Sequence, residues 1–533
     1  MFKALVRSRF SSLLASLRQG GKNGKKKSRV SPALMILLFV IIGAYFLATM
    51  GAMFYGLCFL YRGTGQEWQV FLLGVMISSA LCVFGSIFVT KTQIFDSKDN
   101  ELLLSMPIPP KYIFLSRMLT LLVVNYLLES VVMLPCIVMY GIFCGYSTFG
   151  LIFSIVTFLL IPFLTLSVSS LIAWIVSEIA SRLRNKTVVT VALFIIFFGA
   201  YMYLCFNMGY TEGAAVDLSG FRGMPVFGWA ADACANGEPL SMLWFFLCAA
   251  LPALITFLIL DKSFIRIITT KKARARVEYR GNREKSSGVY FALLKKELRR
   301  FFSSAAYIMN AGMGNVMTVI VAVMIALNSE TVASVVAELT YYGLGDAVAR
   351  SVPVAAGAIV AFMGSMNLVS APSISLEDKN LWILQSSPID PRHVILAKLS
   401  CHAVICLPLT LISSVIICFA LGLSPIHSAL TVLACIVTVA FTDYFGMFLG
   451  LKFPKFGWQN ENVAVKQGFA VMGTMLGSMF GTMIFAGLAL LSAFYISEYL
   501  GFAVLILPFA VLSVILHAYL MRGGVRAFDS LKK

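Results

Sequence analysis

Apolar runs of about twenty residues or more recur along the whole chain, and no other feature constrains its fold so tightly. A run of that length crosses the roughly 30 Å of bilayer hydrocarbon as a helix. Hydrophobic residues fill 59% of the 533 positions and charged ones 12%, too little polar surface to cover a soluble globule of this length. Lipid must act as the solvent, and in lipid the backbone has to satisfy its own hydrogen bonds. Unbroken apolar runs do so as helices, whereas barrel strands would alternate apolar and polar residues. The expected fold class is an all-α membrane protein.

The runs predict spans over 33–60, 69–90, 113–143, 150–177, 187–208 and 241–260, then 308–328, 351–371, 394–421, 428–450, 468–496 and 500–520. That is about twelve transmembrane helices in two halves, 1–280 and 281–533. The first run begins near Pro32, is long enough to span and ends without a small-residue cleavage site, so it reads as a retained helix.

The net charge of +18 is concentrated in two places. Lys22, Lys25, Lys26, Lys27 and Arg29 precede the first span, and Lys262 to Arg300 separates the halves. Both stretches abut apolar segments, where basic residues mark the cytoplasmic side and attract anionic lipid headgroups, so nucleic acid is not the expected partner. With the N-terminus inside, the inner loops carry Lys91, Lys98, Arg182, Arg184, Lys186, Lys271, Lys272, Lys379, Arg392, Lys452, Lys455 and Lys466. The largest outer loop carries Glu212, Asp217, Asp232 and Glu238 against Arg222. This asymmetry predicts both termini on the cytoplasmic face of a cell membrane. Most of the 11 cysteines fall inside apolar runs and read as small core residues; Cys144 and Cys234 lie near the predicted outer face, where a disulfide is one option.

The halves echo each other. Lys98 to Lys111 follows the second span and Lys379 to Arg392 the eighth; without a gap, lysine, leucine, serine, proline, isoleucine and proline coincide, and Arg117 meets Lys398. A second echo precedes each first span, where Lys3, Arg7, Phe10, Ser11 and Ser12 match Lys295, Arg299, Phe302, Ser303 and Ser304. In the first echo, Leu102, Leu103 and Met106, and likewise Leu381, Ile383 and Leu384, stand at helical spacing before a Pro-Ile-x-Pro stop. Proline lacks a donor and biases its neighbour out of helix, so each copy predicts a short helix along the membrane face. One such helix could simply anchor a loop. Two symmetric copies suggest a two-lobed soluble partner.

These residues resemble the membrane subunits of type-2 ABC exporters, in particular the long two-half permeases of Gram-positive bacteria, and the resemblance covers most of the chain. It implies coupling helices against a nucleotide-binding subunit at Asp99, Glu101, Leu103, Ser105, Pro107 and Pro110, and at Asn380, Trp382, Leu384, Ser386, Pro388 and Pro391. The amphipathic segments before each first span look like elbow helices. Pro454, Lys455, Trp458, Glu461 and Lys466 match an inner-loop pattern of such permeases, although an aromatic-anchored surface turn would use the same residues. The equivalent first-half loop, Ser181 to Lys186, keeps only basic residues. The resemblance implies export driven by ATP and Mg bound on separate ATPase subunits, two per chain. No Walker motif occurs, since Gly20-Gly21-Lys22-Asn23-Gly24-Lys25 has the wrong spacing and no Ser or Thr after the lysine. Neither a cofactor nor enzymatic activity is expected of this chain.

Ionisable groups within spans are the remaining candidates, because burying one in lipid costs a few kcal/mol. Glu129, with Asn125 a turn before it, and Asp443, beside Thr442 and Tyr444, either line a path between the halves or hydrogen-bond to a neighbouring helix. His393, His402, His427 and His517 are too scattered to predict a metal site. An ion-coupled secondary transporter with six plus six helices is the alternative. It normally needs several buried charges and has no role for the repeated Pro-Ile-x-Pro helices. The few charges weakly favour a hydrophobic or amphipathic substrate.

Overall fold

The computed structural model describes residues 32–90, 100–182, 224–269, 288–330, 345–458, 461–466 and 468–531, with a few isolated positions between these runs. The insert 20–29, the loop 183–186 and most of the predicted span 187–208 lie outside the described residues; positions 191, 192, 195, 196 and 199 of that span are described and helical. Among the described residues there is no strand. Ten helices are long and apolar enough to cross a bilayer, and eleven if one bent pair is a single span.

The residues fall into two compact units, with the boundary between Tyr279 and Arg280. In the first, α1 (Pro32–Tyr61), α2 (Trp68–Thr90), a short α3 (Asn100–Ser105), α4 (Pro110–Phe143), α5 (Thr148–Arg182), α6 (Pro225–Asn236) and α7 (Pro239–Thr269) follow in order. The central helix is α2, which packs against α4, α5 and α6. Phe54, Phe71, Val132, Cys136 and Tyr140 close the core around it. Close approach depends on Gly74, where a Cβ would come within 2.7 Å of the Cys136 sulfur. Cys144 and Cys234 are free thiols, so the disulfide considered above is not formed; Cys234 Sγ instead donates to Thr157 Oγ1 at 3.3 Å. The large loop expected to lean outward partly folds, as α6, and Arg222 pairs with its Asp232 at 2.9 Å.

The second unit contains α8 (Val289–Ser303), α9 (Ala305–Ala311), α10 (Met313–Leu327), α11 (Gly345–Gly364), α12 (Leu381–Ser386), α13 (Pro391–Ala420), α14 (Pro425–Lys452), α15 (Glu461–Lys466), α16 (Phe469–Tyr495), α17 (Glu498–Tyr519) and α18 (Val525–Asp529). Here α14 is central, with α11, α13, α16 and α17 around it.

Two predicted spans differ in form. The first of this half is broken at Gly312 into α9 and α10, bent by 51°. The next stops at Gly364 instead of reaching 371, and residues 367–376 run buried without regular helix. Irregular backbone is tolerated at such depth only where protein covers it and its polar groups find partners. Glycines in α14 make the room: a Cβ at Gly450 would lie 2.8 Å from the Ala371 carbonyl, and one at Gly446 would lie 2.8 Å from Ser370 Oγ. The partners are also present. Leu368 N donates to Ala311 O at 3.2 Å, and Ser370 Oγ to Asp443 O at 2.9 Å.

Candidate functional site

Each unit builds the same short element just before a long membrane-spanning helix, α4 in the first and α13 in the second. After α3, Ile108 N donates to Met106 O at 2.7 Å, and Tyr112 N to Pro109 O at 2.9 Å. After α12, Ile389 N donates to Ser387 O and His393 N to Asp390 O at the same two distances. Ser105 Oγ donates to Leu102 O and Ser386 Oγ to Ile383 O. The prolines explain the turn. Pro110 and Pro391 occupy the first positions of α4 and α13, where a missing N–H costs nothing and the fixed φ suits the helix.

One face of each short helix packs inward and the other is bare. Leu103 and Leu104 pack with Ile108, Ile113 and Phe114, while Leu102 and Met106 are exposed. Leu381 and Leu384 are buried with Val394, Ile395 and Phe528, while Trp382 is 64% exposed and Ile383 stands beside it. Ser105, Pro107, Asn380, Ser386 and Pro388 are exposed, and Pro110 and Pro391 are half-buried. Asp99 lies outside the described residues. Glu101 is helical, and its side chain lies outside the description. A cavity of about 440 Å³ opens next to α12, lined by Val289, Tyr290, Phe291, Pro388, Ile389 and Asp390. The C-terminal segment is tied to α12 through Gln385 Nε2, which donates to the carbonyls of Phe528 and Leu531 at 2.9 and 2.8 Å.

The helix α8 is amphipathic, as its echo predicts, and packs on the start of α13. Tyr290 donates to Ser400 Oγ at 2.6 Å. In the first unit, the ring of Phe2 meets that of Tyr112, the position equivalent to His393.

A buried ion-pair cluster joins α8, the irregular segment and α13. Lys398 is fully buried, with Nζ 2.9 Å from Glu297 Oε1, 2.8 Å from Glu377 Oε1 and 3.2 Å from Ser373 O. Glu377 also accepts Lys296 at 2.7 Å and faces Arg300 at 3.0 Å. Burial would raise the Glu377 carboxyl, yet Lys398, Arg300 and Lys296 together hold it well below the usual carboxylate range. For Arg300, burial opposes the charge, and Glu377 and Glu297 outweigh it. The cluster was not singled out in the sequence. A signal existed, because the gapless register that sets Arg117 against Lys398 also sets Asp96 against Glu377, an acid and a base in each half. In the first unit, Arg117 is likewise fully buried and reaches Ile94 O at 3.4 Å.

The loop after α14 docks on this cluster's backbone. Trp458 Nε1 donates to Ser375 O at 2.8 Å, Lys455 N to Ser375 Oγ at 3.0 Å and Gly457 N to Asp378 Oδ1 at 2.7 Å. These bonds accompany an uncommon left-handed backbone at Asp378, φ 36°, immediately before α12. Burial lowers the Lys455 ammonium. Glu461 accepts a hydrogen bond from Ser304, which caps α9. Pro454 is half-buried, and Lys466 ends α15. The structure therefore brings Trp458, Glu461 and the α12 residues into one connected assembly at one end of the second unit.

The span residues lie on α4 of the first unit and α14 of the second. Asn125 and Glu129 are fully buried on α4, and neither the Asn125 amide nor either Glu129 oxygen has a hydrogen-bond partner, so the interhelical bond weighed for Glu129 is not made. Asp443 faces His402, an unanticipated partner from α13, at 3.8 Å. Among the described residues no group of three His, Cys, Asp or Glu side chains could hold a metal ion.

A family model described as a membrane protein of twelve transmembrane spans matches residues 31–522. No curated protein and no solved structure matches the chain.

Proposed function

The chain belongs to this family of twelve-span membrane proteins, and from that premise we propose that it is the permease subunit of an ATP-binding-cassette exporter. The observation that carries the reading is the repeated short helix. Both copies have the same closing hydrogen bonds and the same proline-set entry into the next span, and both leave apolar side chains bare, Leu102 and Met106 in one and Trp382 and Ile383 in the other. In the gapless register Leu102 meets Ile383, while Met106 meets Ser387 and Trp382 meets Glu101; one exposed apolar position is shared, and a bare apolar face on each of two similar units fits a partner with two similar lobes. The cavity beside α12 offers a notch of the kind a protruding side chain fills at such an interface.

In this reading, ATP and Mg are bound by two cytoplasmic ATPase subunits, and the basic ends of the chain face them on the inner side of the cell membrane, with both termini inside. Movement of the partner is passed from α12 to α13 through the Lys398 cluster and the docked Trp458 loop. The substrate is hydrophobic or amphipathic. A specific observation favours the alternative of an ion-coupled transporter: the buried His402–Asp443 pair.

The test is purification of the tagged full chain in mild detergent, with mass spectrometry and an ATPase assay of what co-elutes. The reading expects an ATP-binding subunit at two per chain, lost when Leu102, Met106, Trp382 and Ile383 are replaced by serine. A chain that elutes alone and transports without ATP would favour the alternative.

A further inference from the structure

The second unit buries a column of polar side chains that begins at Lys398 and continues beyond its cluster. Along α13, Lys398, His402, Cys406, Thr410 and Ser414 recur at every fourth residue, and all are buried. That spacing keeps them on one face of the helix. From α14, which packs against it, come Thr431, Thr438, Thr442 and Asp443, also buried. Several of the hydroxyls are satisfied locally: Thr410 donates to Cys406 O at 2.9 Å, Thr438 to Ala434 O at 2.6 Å and Thr442 to Thr438 O at 3.0 Å.

His402 has no such local solution, and the Asp443 carboxyl has only the Ser370 hydroxyl beside it. His402 is 0% and Asp443 5% exposed. Their nearest approach, Nδ1 to Oδ1, is 3.8 Å, and neither ring nitrogen of His402 nor Oδ1 of Asp443 has a hydrogen-bond partner. The distance exceeds a hydrogen bond by less than 1 Å, roughly what a rotamer adjustment supplies. The pair lies twelve residues into α13 and nine before the end of α14, about 15 Å along each helix and so deep within a 30 Å hydrocarbon layer.

Other ionisable groups nearby do not neutralise it. Lys398, one turn before His402, is held by Glu297 and Glu377. Cys401, Cys406 and Tyr444 lie within electrostatic reach of Asp443, and the His517 ring of α17 meets that of Tyr444. The α10 sequence has no ionisable residue, and α16 has none before Tyr495. In α11, Asp346 and Arg350 stand near the end opposite Gly364, which packs on Val439 of α14. Asn315 and Asn367 contribute side-chain carbonyls that also lack a donor.

Charge counting then limits the states of the pair. With one proton beyond the neutral imidazole's own, it is neutral as a whole, whether that proton sits on carboxyl or ring. With none it is a lone buried anion, and with two a lone buried cation, and both are disfavoured away from water. We infer that His402 and Asp443 form a one-proton binding site inside the second unit, with the proton held between imidazole and carboxyl and exchanged with water only when α13 and α14 part. The site is independent of any ATPase partner and belongs to the permease whichever energy source drives it.

The chain has 4 histidines, so their ring nitrogens can be followed one by one. The full chain, labelled with ¹⁵N at histidine and reconstituted in lipid, is titrated from acid to alkaline buffer and read by solid-state NMR, with His402→Gln identifying the His402 lines. The expected result is that the His402 lines stay fixed across the titration and that they move in Asp443→Asn. Asp443→Glu, which keeps the carboxyl but alters its reach, should shift the His402 lines without letting them titrate. His402 lines that follow the buffer pH, or His402 lines unmoved by both Asp443 substitutions, would overturn the inference.

Discussion

Lys398 Nζ lies 2.8 Å from Glu377 Oε1, linking the start of α13 to the irregular segment that leads into α12. With Glu297 at 2.9 Å, one buried cation holds two carboxylates from different parts of the chain. In the exporter reading, a motion imposed on α12 would reach a membrane span through these paired charges, which do not separate cheaply away from water.

Replacing Lys398 with Met removes the fully buried cation of the cluster and leaves Glu297 and Glu377 to Lys296, at 3.4 and 2.7 Å, and Glu377 also to Arg300 at 3.0 Å. The expected loss is about 1–3 kcal/mol of stability, because each of the two buried carboxylates loses a hydrogen-bond donor while Lys296 and Arg300 still balance their charge. Thermal unfolding in detergent measures it. The double variant with Glu297→Gln should lose less than the sum of the single losses, since the residues share one network.

The same cluster sets an acid limit. Glu377 is held below the usual carboxylate range by its cationic partners, so its contribution is complete above a pH of about 4.3, the ordinary glutamate value, and is lost as pH falls through its lower folded value. Acid unfolding followed by tryptophan fluorescence should begin at higher pH in Arg300→Gln, which removes one of the groups depressing that carboxyl. An unchanged acid midpoint would remove Arg300 from the account.

Gly450 should tolerate no side chain of any size. A Cβ there would come within 2.8 Å of the Ala371 carbonyl, which is backbone in a segment with little room to yield. Gly450→Val is expected to cost about 1–3 kcal/mol by overpacking, and the lowered melting temperature should be accompanied by weakened docking of the Trp458 loop.

How far these features could be read from the sequence follows from how local their causes are. Proline acts on its immediate neighbours, so Pro107, Pro110, Pro388 and Pro391 announced both short helices and the entries into α4 and α13. The end of α11 at Gly364 was hidden, because serines and apolar residues over 365–371 also suit a continuing span; the break depends on Gly446 and Gly450, far along the chain. Lys398 was visible as the counterpart of Arg117, whereas Glu297 and Glu377 gain meaning only once α8 folds against α13. His402 looked like one scattered histidine, and only the packing of α13 on α14 supplies Asp443. For Trp458 both readings had been open, and its indole N–H is used to fasten the loop to Ser375.

Trp382 and Ile383 contribute little to the fold, being exposed on α12. Replacing either with Ala should change stability by no more than about 0.5 kcal/mol. The same substitutions should weaken partner binding about tenfold or more, ~1.4 kcal/mol, because a bare tryptophan is a common centre of interface energy. Pro107→Ala is expected to impair ATPase coupling likewise while membrane insertion stays intact.

Photo-crosslinking from position 382 tests the central claim most directly. A photoreactive amino acid placed there in the full chain, and at position 102 in a second preparation, is activated in native membranes and its adducts identified by mass spectrometry. The exporter account predicts that both positions capture the same ATP-binding protein or two related ones. Adducts to lipid alone from both positions would contradict it, leaving the two short helices as anchors in the membrane face.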